Sequence, residues 1–195
     1  MKKQQFGRAH TVAFCGLAVA LITVSAWIIL PFGMIPFTLQ TLAIALVVLS
    51  FPPKQALASV FGYLALGAAG APVFSGMKGG LAAFLGPTGG FLFGYALGAL
   101  LAVALLKAWP QPQGKKAQFA RMLSAGLALM ISSYALGWLQ LMSVADLGPV
   151  AAFAAGVAPF IAVDLVKVVV AARAAQSLRA SIPQLRQVPV PSLKK

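Results

Sequence analysis

Acidic side chains are almost missing from this sequence. Its 195 residues include two aspartates, Asp146 and Asp164, and no glutamate, against 15 lysines and arginines. There is one cysteine, Cys15, which excludes a disulfide framework and a thiolate metal site. There is one histidine, His10, so too few titratable side chains are present to build an acid–base or metal centre. We therefore expect no enzyme, no bound metal and no cofactor.

Charged residues of any kind are scarce. The chain is 61% hydrophobic and 9% charged, with a mean hydropathy of +0.93. These values exceed those of soluble domains and indicate an integral membrane protein. The net charge of +13 comes from scattered basic residues that form no continuous stripe, so a nucleic-acid partner is not expected. A phosphate-binding Gly-x-x-x-x-Gly-Lys-Ser/Thr loop is also missing, so any ATP would have to be hydrolysed by another protein.

Six apolar segments approach the roughly 20 residues that a spanning helix needs. We predict an all-α membrane domain over residues 1–182, followed by a basic cytoplasmic tail over 183–195. The sixth span is placed at Pro159, because proline is favoured in a first helical turn. The predicted spans lie near residues 10–30, 35–51, 55–70, 88–108, 120–142 and 159–180.

The distribution of basic residues predicts the orientation. With the N-terminus inside, Lys78 is the one basic residue in an outer loop and Lys167 lies within a span, while all other lysines and arginines are on the inner side. This bias predicts that both termini are cytoplasmic. A cleavable signal peptide ending near Val24-Ser25-Ala26 is the alternative, but its removal would reverse the charge bias.

One of the two acids lies inside the last apolar segment. Asp164 is followed at i+3 by Lys167, which places their β-carbons about 5–6 Å apart on a helix. Ionisable residues within a membrane are costly and usually functional. The pair predicts a ligand or ion site near the outer face, and an ion pair that only fixes the helix position is the alternative.

Two further regions are candidates for contact with a ligand. Residues 70–90 form a glycine-rich outer loop that could wrap a small molecule and offer it amide groups, with a flexible connection as the alternative. Thr38, Gln40 and Thr41 open the second span in apolar surroundings, where polar side chains need a partner or a cavity. Glycines 90, 94 and 98 recur every four residues and predict close packing between helices.

Several motifs follow one another in order along the chain. They are Pro36-Phe37-Thr38-Leu39-Gln40-Thr41, Gly70-Ala71-Pro72-Val73-Phe74, Gly86-Pro87-Thr88-Gly89-Gly90-Phe91-Leu92-Phe93-Gly94-Tyr95, and Pro159-Phe160 with Asp164 and Lys167. Together they resemble the BioY family, the biotin-specific substrate-binding (S) components of energy-coupling factor (ECF) transporters. The resemblance runs over about residues 9–175 and leaves the tails unmatched. Where the family often has glycine, this chain has Met77-Lys78.

The resemblance implies a six-helix protein of a bacterial-type cytoplasmic membrane that captures biotin from outside. Its implied partners are biotin, membrane lipid, a transmembrane coupling subunit and two cytoplasmic ATPases, although family members are also discussed as working alone. Ala9 and Ala13 resemble the small-residue motif of the first helix that contacts the coupling subunit.

The chemistry of biotin is compatible with these residues. An ionised Asp164 can accept a charge-assisted hydrogen bond from the ureido group, and Lys167 can neutralise Asp164 and donate to a ligand oxygen. Gln40, Thr38, Lys78 and loop amides would supply donors to the other end, while aromatic side chains enclose the ring and chain. The full predicted set is Asp164, Lys167, Gln40, Thr38, Phe37, Phe74, Lys78, Gly79, Gly80, Phe84, Gly86, Thr88, Gly89 and Tyr95.

A small stand-alone secondary transporter is the alternative function. In that case Asp164 and Lys167 would form a proton or ion relay, and inverted repeats would be expected. We find no convincing repeat between residues 1–98 and 99–195.

Overall fold

The computed structural model describes residues 8–30, 35–109, 112–182 and 185, so most of the predicted basic tail lies outside the described residues. Over these ranges the chain forms eight helices and one short hairpin. The helices are α1 (Arg8–Trp27), α2 (Gln40–Ser50), α3 (Pro53–Ala68), α4 (Leu81–Leu85), α5 (Gly89–Ala108), α6 (Lys115–Val144), α7 (Pro149–Gly156) and α8 (Ile161–Ser181). The hairpin strands are β1 (Ile29–Leu30) and β2 (Phe37–Thr38).

The hairpin separates the first two predicted spans. Strands β1 and β2 are antiparallel, with Ile29 opposite Thr38. Helix α2 therefore begins at Gln40 and not near residue 35, because residues 37–38 are extended. The hydroxyl of Thr38 accepts the Gln40 N–H at 3.2 Å, which satisfies one of the backbone donors left free at a helix start.

The last apolar segment is also divided. Helices α7 and α8 are bent by 49° relative to each other. Pro159 lies in the intervening turn, and α8 begins at Ile161, two residues later than predicted. A proline disfavours helical geometry in the residue before it, which accounts for a break here. Asp164 then lies in the first turn of α8, as expected.

Two helices within the described residues, α5 and α6, are long and apolar enough to cross a membrane. The bent pair α7 and α8 makes a third if it forms one span, while α1 from residue 11 and α2 are shorter apolar helices. Each of the six predicted segments contains a helix. That six segments cross the membrane, and that both termini are cytoplasmic, stay predictions.

Helices α5 and α6 pack at very short range. A Cβ added to Gly94 would lie 2.4 Å from Cα of Ser133, and one added to Gly98 would lie 2.8 Å from Cα of Leu129. These distances are too short for any side chain, so the predicted role of the glycine repeat in helix packing is confirmed. The close approach brings the middle of α6 against α5.

Helix α8 connects two buried charged regions. Asp164 lies in its first turn and Arg179 in its last, about 22 Å apart at 1.5 Å per residue. Helix α2 runs in the same direction, because Thr41 contacts Asp164 while Ser50 contacts Arg179. We call these regions the Asp164 end and the Arg179 end of the bundle.

Candidate functional site: a polar cavity at the Asp164 end

A cavity of about 60 Å³ lies at the Asp164 end. Residues from the segment around β2 and from α2, α5, α6 and α8 line it. Its apolar wall includes Phe91, Leu92, Met130 and Phe160. Its polar lining comprises Thr38, Gln40, Thr41, Ser75, Thr88, Tyr95, Ser133, Tyr134, Asp164 and Lys167.

A buried ion pair forms one side of this cavity. Nζ of Lys167 lies 2.6 Å from Oδ1 of Asp164, and both side chains are 7% exposed. Lys167 also donates to the carbonyl oxygen of Thr38 at 2.7 Å, and its ammonium lies 4.2 Å from the ring centroid of Phe37. Buried charges need such pairing to offset the loss of hydration. Lys167 therefore joins α8 to strand β2 at the cavity wall.

The second carboxylate oxygen of Asp164 accepts from side chains of two other helices. Tyr134 on α6 donates its hydroxyl to Oδ2 at 2.8 Å, and Thr41 on α2 donates to the same oxygen at 3.5 Å. Because a carboxylate only accepts hydrogen bonds, the hydroxyl proton of Thr41 is directed to Asp164. The Thr41 hydroxyl oxygen then accepts a hydrogen bond from the hydroxyl of Tyr95 on α5 at 3.0 Å. The network links four helices around one carboxylate.

A separate pair of hydrogen bonds holds Gln40. Its Nε2 donates to the hydroxyl of Tyr63 at 3.0 Å. The Tyr63 hydroxyl in turn donates to the carbonyl oxygen of Val73 at 3.2 Å. This chain connects the cavity wall with α3 and with the loop that follows α3.

Six of the predicted ligand contacts line the cavity: Asp164, Lys167, Gln40, Thr38, Thr88 and Tyr95. Phe37 contacts the site indirectly, because its ring lies beside the Lys167 ammonium and stacks on Phe160 with centroids 5.4 Å apart. The polar opening of the second span and the Asp164/Lys167 pair thus meet at one place. The prediction that Thr38 and Gln40 serve the other end of the ligand differs from this arrangement, because Lys167 itself bonds the backbone of Thr38.

The other predicted residues lie outside the lining. Phe74 makes edge contacts with both Tyr63 and Phe84, each at 5.4 Å between ring centroids, so it packs the loop onto α3. Phe84 also packs on Phe93 at 5.2 Å. Lys78 is exposed to solvent. The predicted residues that do not line the cavity are Phe74, Lys78, Gly79, Gly80, Phe84, Gly86 and Gly89.

The glycines of this loop are used for packing. A Cβ added to Gly79 would lie 2.2 Å from the carbonyl oxygen of Ala71, so only glycine fits there. Three backbone N–H groups that were predicted to bind the ligand already donate to carbonyl oxygens of the protein. They are the N–H groups of Gly80 to Gly67 at 2.6 Å, of Gly86 to Ala82 at 3.0 Å and of Gly89 to Gly86 at 3.0 Å. The loop contributes Ser75 and Thr88 to the cavity in place of its glycine amides.

Sequence reasoning missed the contribution of α6. Tyr134 and Ser133 line the cavity and belong to a polar cluster, Ser132-Ser133-Tyr134, within an apolar helix. The same argument that singled out Thr38 and Gln40 would have found them. Thr41 is polar and lines the cavity, but the predicted site does not include it. Phe91 and Phe160 lie in two of the quoted motifs, but the predicted site does not include them either, because aromatic side chains in a membrane bundle more often pack than bind.

These features define a helical membrane protein with an ion-paired, polar cavity at one end of its bundle. Among the described residues no group of three or more histidine, cysteine or acidic side chains is placed to hold a metal. A model of the BioY family matches residues 1–184, and the chain belongs to the BioY family. The resemblance found in the sequence motifs is thereby confirmed.

Individual relatives cover most of the chain. It is 41% identical over 165 residues to the biotin transporter BioY of Thermotoga maritima, which corresponds to 84% of this chain and 92% of the relative. It is 35% identical over 172 residues to the probable biotin transporter BioY of Pyrococcus horikoshii, or 88% and 98% of the two chains. The crystal structure of the S-component for biotin from an ECF-type ABC transporter superposes with a TM-score of 0.81 at 25% identity, covering 92% of this chain and 95% of the other.

Proposed function

We propose that this chain is the biotin-binding S component of an ECF transporter and captures biotin at the outer face of the membrane. The family membership and the names of its relatives support the ligand. The observation that carries the proposal is the buried ion pair of Asp164 and Lys167 in the wall of a cavity. An ion pair placed there can exchange its contacts with a polar ligand.

The remaining hydrogen-bonding capacity fits one end of biotin. An ionised carboxylate has about four acceptor positions. Asp164 uses three of these acceptor positions for Lys167, Tyr134 and Thr41, so one position is left for a ureido N–H. Lys167 uses two of its three donors, which leaves one for a ligand oxygen. The pair therefore offers one charged acceptor and one charged donor side by side.

The apolar wall fits the thioether ring and the aliphatic chain. Phe91, Leu92, Met130 and Phe160 present side chains without hydrogen-bonding groups other than a thioether. The cavity lies beside the hydrogen bond from Lys167 to Thr38, so bound biotin would compete for the Lys167 donor.

We further propose that ATP hydrolysis is supplied by partners. The sequence has no phosphate-binding loop of its own. Ala9 and Ala13 are exposed on α1, next to Val12 at 71% exposure, so this face is available to the transmembrane coupling subunit. Two cytoplasmic ATPases would complete the transporter. In this assembly six segments of the chain cross the membrane and both termini are cytoplasmic.

The test is a calorimetric titration of biotin into the detergent-purified protein. The wild-type protein should bind with a stoichiometry near one, and Asp164→Asn should weaken binding by about 100-fold or more, because it removes a buried charge from its partners. Asp146→Asn is the matched control. Asp146 is exposed and has a φ of 50°, which asparagine tolerates, so this variant should fold and bind as the wild-type protein does.

Two outcomes would contradict the proposal. A folded wild-type protein that binds no biotin would exclude the ligand. Proton-coupled biotin flux through liposomes that contain this chain alone would favour the secondary transporter, since an S component without its partners should capture the ligand without sustained flux.

A further inference from the structure

The side-chain amide of Gln40 has a defined orientation. Tyr63 is fully buried, and its hydroxyl carries a single proton. The carbonyl oxygen of Val73, 3.2 Å away, can only accept, so the proton of Tyr63 is directed there. The hydroxyl oxygen must then accept from Gln40 at 3.0 Å, which identifies the facing amide atom as Nε2.

The opposite orientation is unfavourable. With the amide reversed, Oε1 of Gln40 would face a hydroxyl whose proton is already committed, so two acceptors would oppose each other in a buried position. With one N–H of Nε2 held by Tyr63, the orientation of the amide is fixed, and Oε1 is the acceptor that Gln40 offers to the cavity it lines. Among the described residues no hydrogen bond to Oε1 of Gln40 is formed.

We propose that Gln40 determines specificity by accepting a hydrogen bond from a ligand N–H through its carbonyl oxygen, and that Tyr63 is the residue that positions it. This reverses the expectation from sequence, in which Gln40 was a donor. The assignment rests on the proposed function. A cyclic urea has two N–H donors, and the lining of the cavity includes one amide and one carboxylate, Gln40 on α2 and Asp164 on α8, that can accept them. Helices α2 and α8 meet beside these two residues, because Thr41, the next residue after Gln40, hydrogen-bonds Asp164 at 3.5 Å.

The test compares biotin with two lactam analogues, in which one or the other ureido N–H is replaced by a methylene group. Each ligand is titrated into the full-length wild-type protein, Gln40→Met and Tyr63→Phe. The phenylalanine variant removes the hydroxyl but keeps the ring that packs on Phe74 at 5.4 Å. Gln176→Met is the matched control, because Gln176 donates only to the carbonyl oxygen of Lys115, far from the cavity.

We expect the wild-type protein to bind each lactam about 10-fold or more weaker than biotin, because a buried acceptor loses its donor. Gln40→Met should bind biotin about 10-fold weaker and should no longer discriminate against one of the two lactams. Tyr63→Phe should reduce the same discrimination by about 3-fold, since the amide is then free to reverse. Gln176→Met should behave as the wild-type protein does.

Full discrimination against both lactams in Gln40→Met would overturn the assignment of Gln40, and full discrimination in Tyr63→Phe would overturn the positioning role of Tyr63. If Gln40→Met does not fold, the result for Tyr63→Phe decides both the acceptor role of Gln40 and the positioning role of Tyr63, because a fixed amide orientation is the basis of the proposal. Wild-type protein that binds lactams and biotin equally would overturn the inference while leaving the proposed function intact. A wild-type protein that does not bind biotin would overturn both.

Discussion

Charged side chains are buried at both ends of the bundle, but they are compensated in different ways. At the Asp164 end, the cation Lys167 faces a carboxylate at 2.6 Å in a cavity wall. At the Arg179 end, Arg121 and Arg179 are 4% and 7% exposed, and the chain has no acid to spare for them, since Asp146 is exposed in the loop after α6.

The two arginines instead bind the ends of helices. Arg121 donates to the carbonyl oxygens of Leu106 and Trp109 at the end of α5. Arg179 donates through Nε to the carbonyl oxygen of Ser50, the last residue of α2, at 3.1 Å. Such carbonyls lack donors within their own helix and carry partial negative charge. The arginines therefore complete the backbone hydrogen bonding of two helices.

The difference separates a site from a structural contact. Backbone carbonyls at a helix end cannot be exchanged for a ligand without loosening the helix. Side chains around a cavity can exchange partners, because the ligand supplies new ones. Substitutions at the two ends should consequently affect different measurements, with ligand affinity responding at the Asp164 end and stability at the Arg179 end.

The largest effect is expected at Lys167. Lys167→Met leaves the carboxylate of Asp164 without its cation, so biotin affinity should fall by about 100-fold or more. The exchanged double variant, Asp164→Lys with Lys167→Asp, restores an ion pair but reverses its polarity, and it should fold without recovering affinity. Calorimetry measures the biotin affinity of both variants, and size-exclusion chromatography shows whether they fold. Normal binding by the exchanged variant would show that the pair is structural.

At the opposite end, Arg179→Met should lower stability by about 1–3 kcal/mol, because the carbonyl of Ser50 loses a buried donor. Biotin affinity of the folded protein should stay within about 2-fold of the wild-type value, since the substitution lies about 22 Å from Asp164 along α8. Thermal unfolding followed by tryptophan fluorescence measures the stability, and calorimetric titration measures the biotin affinity.

The control for Arg179→Met is Arg173→Met on the same helix. Arg173 is exposed, with its guanidinium 3.8 Å from the ring centroid of Phe119, so its loss should cost less stability. A large loss of biotin affinity in Arg179→Met without a change in unfolding temperature would contradict the division between the two ends.

The sequence predicted those parts of the site that depend on composition. Asp164 and Lys167 stand out because charge is rare in an apolar segment, and Thr38 and Gln40 because polar side chains there need partners. The same argument applies to Ser133 and Tyr134, which the predicted site does not include. The basic residues at the Arg179 end indicate only the orientation of the chain, because a sequence does not show whether an arginine near a helix end is buried.

The remaining differences depend on long-range contacts. Strands β1 and β2 have two residues each, too few for an alternating pattern to be detected. A glycine-rich loop can bind a ligand or pack on itself, and the choice is visible only when the donors are followed, as from Gly80 to Gly67. Sequence alone also cannot orient the amide of Gln40, since that orientation is set by Tyr63 and Val73, distant along the chain.

A smaller effect is expected from the hydroxyl of Tyr134. Tyr134→Phe removes one of the hydrogen bonds to Asp164, the 2.8 Å bond to Oδ2, while the ion pair with Lys167 remains. Biotin affinity should fall by about 3–10-fold, the usual effect of one hydrogen bond to a charged group in a network that retains others. Calorimetric titration measures it. A loss as large as that of Lys167→Met would mean that the Tyr134 hydroxyl is as important a partner of Asp164 as the cation.

The smallest effect is expected at Lys78, which the sequence placed in the binding set. Its side chain is exposed, and the contribution it makes to the loop is its carbonyl oxygen, which accepts the Phe74 N–H at 2.9 Å and is retained in any substitution. Lys78→Met should therefore change biotin affinity by less than about 2-fold, whereas the same substitution at Lys167 removes a buried partner. Titrations of both variants at low and high salt make the comparison, since long-range attraction of the biotin carboxylate by an exposed lysine would be screened by salt. A salt-independent loss in Lys78→Met would place Lys78 in direct contact with the ligand and would require the loop to close over the cavity.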